Sequence, residues 1–153
     1  MKRIARVYLD TSVVGGCFDE EFERYSSLLF EQFAVGKMIA LISEITILEL
    51  ESAPGPVRKK IESIPRASLN VLDNSVYSEA LAAAYVKAKV VPRSMYTDAL
   101  HIAIATVEHA DVVVSWNFKH LVNLNRIKAF NAVNMREGYG AIEIRTPREV
   151  LDV

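Results

Sequence analysis

The sequence predicts an α/β fold: a three-layer sandwich whose central sheet is mainly parallel and has about five strands. Three observations carry this expectation. Short apolar stretches alternate along the whole chain with longer segments of helical spacing, the pattern of repeated βαβ units. The run DVVVS at 111–115 is apolar without interruption until its end, as parallel strands covered on both faces are. With 51% hydrophobic and 24% charged residues in 153, the chain is globular in composition and long enough to bury a core as one domain, residues 1–153.

The elements follow in order. ARVYL (5–9) reads as a buried strand. Over 20–35, Phe22, Tyr25, Leu28, Leu29 and Phe33 recur at helical spacing, and Gly36 ends the segment. MIALIS (38–43) is the second strand. Ser43 is the expected N-cap of a helix through ITILELE, stopped by Pro54, Gly55 and Pro56. VRKKIESI (57–64) is a short amphipathic helix ending before Pro65, and SLNVLD (68–73) alternates as a third strand. The alanine-rich stretch 75–88 is helical. Pro92 breaks the chain before a helix from Ser94 to His109, apolar nearly all round and therefore buried. The fourth strand is 111–115. One or two helices follow through 118–130, a glycine-bearing flexible approach leads on, and 142–147 is the last strand. TPREVL then starts a helix with Pro147 in its first turn.

The bulk numbers exclude several function classes. Lys and Arg total 18 against 19 Asp and Glu, a net charge of -1, unlike a chain that grips nucleic acid through phosphates alone. Any polyanion must then be held by local basic patches, metal ions or other subunits. The one cysteine, Cys17, excludes an internal disulfide and suits a reducing cytoplasm. No apolar run reaches the ~18 residues of a membrane span, and the N-terminus lacks a signal-peptide cleavage pattern.

In open parallel sheets, functional groups gather at the carboxyl ends of strands. Asp10 stands at such an end, followed by the hydroxyls of Thr11 and Ser12. It caps the turn or, with those hydroxyls, coordinates a hard cation. Glu44, Glu49 and Glu51 share one helix, with Glu49 roughly 140–160° round from the other two. Asp98 opens the buried helix, where the macrodipole favours an acid. His101, one turn on, reads as a buried hydrogen-bonded histidine before it reads as a ligand. Singly, each acid has a bland explanation as a cap or a solvated charge. Brought together at one rim, the three would repel and raise one another's pKa unless a cation neutralised them, and Mg²⁺ or Mn²⁺ suits oxygen-only donors.

With these residues in view, the chain resembles the PIN domains, metal-dependent nucleases that include the VapC-like toxin ribonucleases of toxin–antitoxin pairs. VYLDTSVV resembles the family's opening strand, acid and hydroxyl. SEITILELE resembles its Ser-led helix with an acid that maps onto Glu49. TDALHIAIATVEHADVVVSWNF resembles its third-acid helix running into strand four and a hydroxyl-led loop. The resemblance implies hydrolysis of RNA phosphodiesters in the cytoplasm. Asp10, Glu49 and Asp98 would hold Mg²⁺ or Mn²⁺, with Asn117 a fourth catalytic position and Thr11, Ser12 and Ser115 in support. It also implies a homodimer, a small antitoxin partner and no membrane. There is one departure. The family's usual fourth acid, two residues beyond the strand-four hydroxyl Ser115, is Asn117 here; a neutral ligand would hold a second metal ion more weakly.

Substrate grip would fall to basic patches: Arg58, Lys59 and Lys60; Lys87, Lys89 and Arg93; Lys119, Arg126 and Lys128. Lys119 lies beside the site, and Tyr96 and Trp116 are placed to stack on bases, with core packing the alternative for Trp116. Three rival readings exist. Asn117 motivates a binding module that has lost cleavage. A phosphotransfer enzyme with Asp10 as nucleophile would need a second Asp two residues on, where Ser12 stands. In a purely structural domain, all three acids would be caps and surface charges.

Overall fold

The computed structural model describes residues 3–151. Five strands, β1 (Ala5–Leu9), β2 (Met38–Ser43), β3 (Leu69–Leu72), β4 (Val112–Val114) and β5 (Glu143–Arg145), form one sheet in the order β3-β2-β1-β4-β5. All four neighbouring pairs are parallel, so the sheet is wholly rather than mainly parallel. The helices are α1 (Thr11–Gly16), α2 (Glu23–Ala34), α3 (Glu44–Glu51), α4 (Gly55–Glu62), α5 (Val76–Lys87), α6 (Tyr96–Val107), α7 (Leu124–Arg136) and α8 (Pro147–Val150).

The period of two along each strand divides the interior into two cores. Val7, Leu9, Ala40, Ile42, Val112 and Val114 face a core shared with α1 and α2. Tyr8, Leu41, Val113 and Ile144 face the other, shared with α5, α6 and α7. Residues Ala99 to Thr106 of α6 are all buried, as an element apolar on every side requires. Burying so many methyl-bearing side chains at roughly 1.5–3 kcal/mol each fixes α6 against the sheet.

Ser43 is the N-cap residue of α3, and its backbone N–H donates to Thr46 Oγ1 at 3.1 Å. Ser75 and Thr146 cap α5 and α8 in the same manner. The structure departs from the sequence expectation in three places. The segment TSVVGG is a helix, although two glycines and two β-branched valines make it a poor one by propensity. Val13 and Val14 are completely buried, so tertiary packing overrides that preference, and the next helix begins at Glu23 rather than at residue 20. The last long helix runs to Arg136, past the expected limit of 130. Gly138, at φ 88°, takes the left-handed conformation that ends it. The approach to β5 is tied down: Asn131 Oδ1 accepts from Ile142 N at 2.7 Å, and its Nδ2 donates to Ile142 O at 3.0 Å.

Candidate active site

In the order β3-β2-β1-β4-β5, the chain winds outward from β1 to β3 and then crosses to the other side at β4. In open parallel sheets ligands bind at the carboxyl ends of the strands where the winding reverses, here those of β1 and β4. Asp10 follows β1 there, and Ser115 follows β4. Asp10 N donates to Val114 O at 3.0 Å and Ser115 N to Arg145 O at 3.0 Å, so both residues continue the sheet by one position. The alternation that turns Tyr8 and Val113 toward α6 therefore turns Asp10 and Ser115 the same way.

Asp10 is 5% exposed. Its Oδ2 accepts from the hydroxyls of Ser12 at 2.7 Å and Ser115 at 2.8 Å. It occupies the N-cap position of α1 but makes no side-chain capping bond, which removes the turn-capping explanation. The serines in turn fix the loop after β4: Trp116 N donates to Ser12 Oγ at 3.0 Å and Asn117 N to Ser115 Oγ at 2.9 Å. Asn117 Nδ2 donates to Asp98 Oδ2 at 3.4 Å. A chain of contacts thus joins Asp10, Ser115, Asn117 and Asp98, four residues from three separate stretches of sequence.

Glu49 is held differently. Its Oε1 accepts from Thr11 Oγ1 at 2.8 Å and pairs with His101 Nε2. His101 is completely buried on α6. Its Nδ1 bonds Tyr8 Oη at 2.6 Å, and Tyr8 Oη bonds Ser43 Oγ at 2.8 Å. A protonated imidazole donates from both nitrogens, to Tyr8 and to Glu49, leaving the tyrosine hydroxyl to donate to Ser43. The histidine is therefore hydrogen-bonded and buried, as the sequence suggested. Its partner in that burial is the very carboxylate singled out on α3. Glu44 and Glu51 are exposed on the other side of that helix.

The electrostatics record the crowding. Burial, then Asp10 and Glu49, raise the Asp98 carboxyl to about 6, with His101 opposing. Burial acts to lower the His101 pKa, but Tyr8, Glu49 and Asp10 outweigh it and raise it to about 10. Burial also works to raise Glu49, yet the hydrogen bond and charge of His101 and the Thr11 hydroxyl leave it below its usual value. Asp98 is thus within electrostatic reach of both Asp10 and Glu49. Among the described residues, no group of three or more His, Cys, Asp or Glu side chains is arranged to hold a metal ion by itself. The donors nevertheless suit a hard cation. They are all oxygens, one imidazolium offsets one of three negative charges, and Asp98 is left seeking a positive partner. Mg²⁺ takes one or two carboxylates directly and keeps waters in its remaining positions.

The aromatic residues serve the fold first. Trp116 stacks on Phe22 with centroids 4.4 Å apart, and its Nε1 donates to Ser26 Oγ at 2.9 Å. Gly16 makes room for that contact: a Cβ there would lie 2.6 Å from Ser26 Oγ and 2.8 Å from Trp116 Nε1. Lys119 and Phe118 are exposed on the same loop. Sequence reasoning missed Tyr8 and Ser43 as parts of the site. Their signal was the odd-even alternation within β1 and β2, readable only once the register was known.

Fold and site together define a class: an all-parallel α/β sandwich of the PIN-like type with acidic residues at its switch point. No family model and no curated protein matches the sequence. Solved structures resemble it, among them two toxin structures. The Mycobacterium tuberculosis sarcin–ricin-loop-cleaving toxin VapC20 superimposes with a TM-score of 0.56 at 12% identity, over 89% of this chain and 98% of that one. VapBC2 from Rickettsia felis, bound to a DNA fragment from its promoter, gives 0.50 at 18% identity, over 74% and 89%. What is shared at such identities is the fold, that of the VapC toxins.

Proposed function

We propose that the protein is a divalent-metal-dependent endoribonuclease that hydrolyses RNA phosphodiester bonds. The observation that supports this most is the contact chain from Asp10 through Ser115 and Asn117 to Asp98, with Glu49 alongside on its histidine. Asp10 and Asp98, with Glu49 behind them, would hold one Mg²⁺ or Mn²⁺. Such an ion, when bound, lowers the pKa of a coordinated water and neutralises charge on the phosphoryl oxygens. Ser12 and Ser115 keep the Asp10 carboxylate aimed, and Asn117 orients the free edge of Asp98. His101 cancels the charge of Glu49, so the site carries close to two net negative charges, matched to a single divalent ion. A neutral Asn117 agrees with that count.

The test is RNA cleavage by wild type and by Asp10→Asn, with Mn²⁺ and with EDTA. Asparagine keeps an acceptor for Ser12 and Ser115, whereas alanine would strand the buried Ser115 hydroxyl. Wild type should cut only with metal, and Asp10→Asn should lose about 10²-fold or more of that rate. Equal inertness of both proteins, with RNA still bound, would instead support the rival that Asn117 motivates, a binding module without cleavage. The same reading gives the protein two protein partners, a second copy of itself and a small antitoxin. Ile47 and Leu48 on α3 and Val76 and Tyr77 on α5 are exposed apolar side chains that such partners would cover. Among the described residues no helix is long and apolar enough to cross a membrane.

A further inference from the structure

The two segments that deliver Asp98 and Asn117 to the rim also deliver a set of cations to one neighbouring concavity. Lys89, Val91, Pro92, Arg93 and Arg126 line it. Arg93 lies five residues before Asp98, so at 1.5–2.0 Å per residue their backbones are within about 10 Å. Arg126 is reached from Asn117 through a loop held by side chains: Asn117 Oδ1 accepts from His120 N at 3.0 Å, and Asn123 Oδ1 from Arg126 N at 3.0 Å. Arg126 also bonds Val90 O, which pins its guanidinium in the concavity. Lys119 stands on the same loop, close enough that it and Arg126 both act on His120.

None of Lys89, Arg93, Lys119 or Arg126 forms an ion pair with a carboxylate among the described residues. The molecule's net charge is only -1, so this cluster is a local excess. Lys89 holds a φ of 61° at the end of α5, a position where glycine would be unstrained. Guanidinium groups fit phosphate oxygens in bidentate fashion. Pro92, with Val86, which also lines it, gives the concavity an apolar surface suited to a sugar.

We infer that this concavity is a phosphate-backbone subsite, which grips single-stranded RNA beside the bond to be cut. The inference rests on the nuclease reading and names how a chain without net positive charge holds its substrate. Parts of two basic patches, separate in sequence, make one surface, and the Arg58–Lys60 patch is not part of it. Lys60 instead lies over the Phe30 ring at 5.2 Å.

The test measures the affinity of a short single-stranded RNA against salt, in an Asp98→Asn background that disables cutting. Each phosphate contact contributes about 0.7 to the slope of log K against log salt for single strands. Arg93→Gln/Arg126→Gln should flatten the slope by about 1.4, and Lys89→Gly by about 0.7. Lys37→Gln/Arg66→Gln, which removes two charges at the amino edge of the sheet, just before β2 and β3, should leave it unchanged. Lys89→Gly relieves a strained backbone and so folds at least as well as its parent. A flattened slope in that variant therefore cannot come from unfolding. An unchanged slope in both subsite variants overturns the inference, and so does equal flattening in the control. If Asp98-intact protein cuts RNA while the slopes stay put, the subsite falls and the nuclease reading stands. If it neither cuts nor binds, both fall.

Discussion

The pairing of His101 with Glu49 decides how a buried site tolerates three acids. The imidazole is completely buried, between Tyr8 on the sheet and Glu49 on α3. Its folded pKa, about 10, is raised. Its share of stability is therefore full below the ordinary histidine value of about 6.5 and lost as pH rises through about 10. The lowered pKa of Glu49 acts in the opposite sense: its share is present above the usual carboxylate range and lost as pH falls below it. His101→Gln should cost about 1–3 kcal/mol at neutral pH, since Glu49 keeps some solvent. Urea midpoints at about pH 7 and about pH 10 should lie further apart in wild type than in the variant. The same change should slow metal-dependent cleavage, because Glu49 would keep only Thr11. Equal midpoint shifts in the two proteins would remove the imidazolium from this account.

At the scale of elements, the contact of α1 with the loop after β4 sets the depth of the site. Gly15 and Gly16 are neighbours in one short helix, yet their surroundings differ. Nothing lies within 4 Å of a Cβ built on Gly15, whereas one on Gly16 meets Ser26 Oγ at 2.6 Å and Trp116 Nε1 at 2.8 Å. Gly15→Ala should be neutral or stabilise by up to about 1 kcal/mol. Gly16→Ala should destabilise by about 1–3 kcal/mol. It should also reduce cleavage beyond what instability explains, because the displaced Trp116 carries Ser115 and Asn117 with it. Thermal melts beside single-turnover rates separate the two effects. Similar melting temperatures for both alanine variants would contradict the packing described.

For the molecule as a whole, the concentration of acid at the switch point links stability to pH and to metal. The Asp98 pKa is raised to about 6, so the folded state binds that proton more tightly than the unfolded chain does. Its contribution is then favourable below the ordinary carboxylate value and lost as pH rises through about 6. Without metal, stability should decline over that window, and Asp98→Asn should flatten the decline. Mn²⁺ should raise the melting temperature strongly at about pH 7.5 and little at about pH 5, since a ligand stabilises only the state that binds it. An equal rise at both values would mean that the ion binds elsewhere.

By itself the sequence determined the five strands, the all-round apolar character of α6, the cap at Ser43, the helix start at Pro147 and the candidates Asp10 and Asp98, while only the family resemblance set Glu49 apart from Glu44 and Glu51. Those features are local: periodicity, capping and the chemistry of one residue type are carried by neighbours in the chain. The helical state of TSVVGG was invisible because burial of Val13 and Val14 outweighs their propensity, and burial is a property of the partner surface. For the same reason the sequence could name His101 as buried without naming Glu49 as its partner, or Tyr8 and Ser43 as the rest of the network. Those four side chains come from β1, β2, α3 and α6, and only strand order and register bring them within hydrogen-bonding distance. Tertiary structure likewise merged basic residues from two distant segments into one concavity. Charge acts through space, so its distribution is fixed only when the chain has folded.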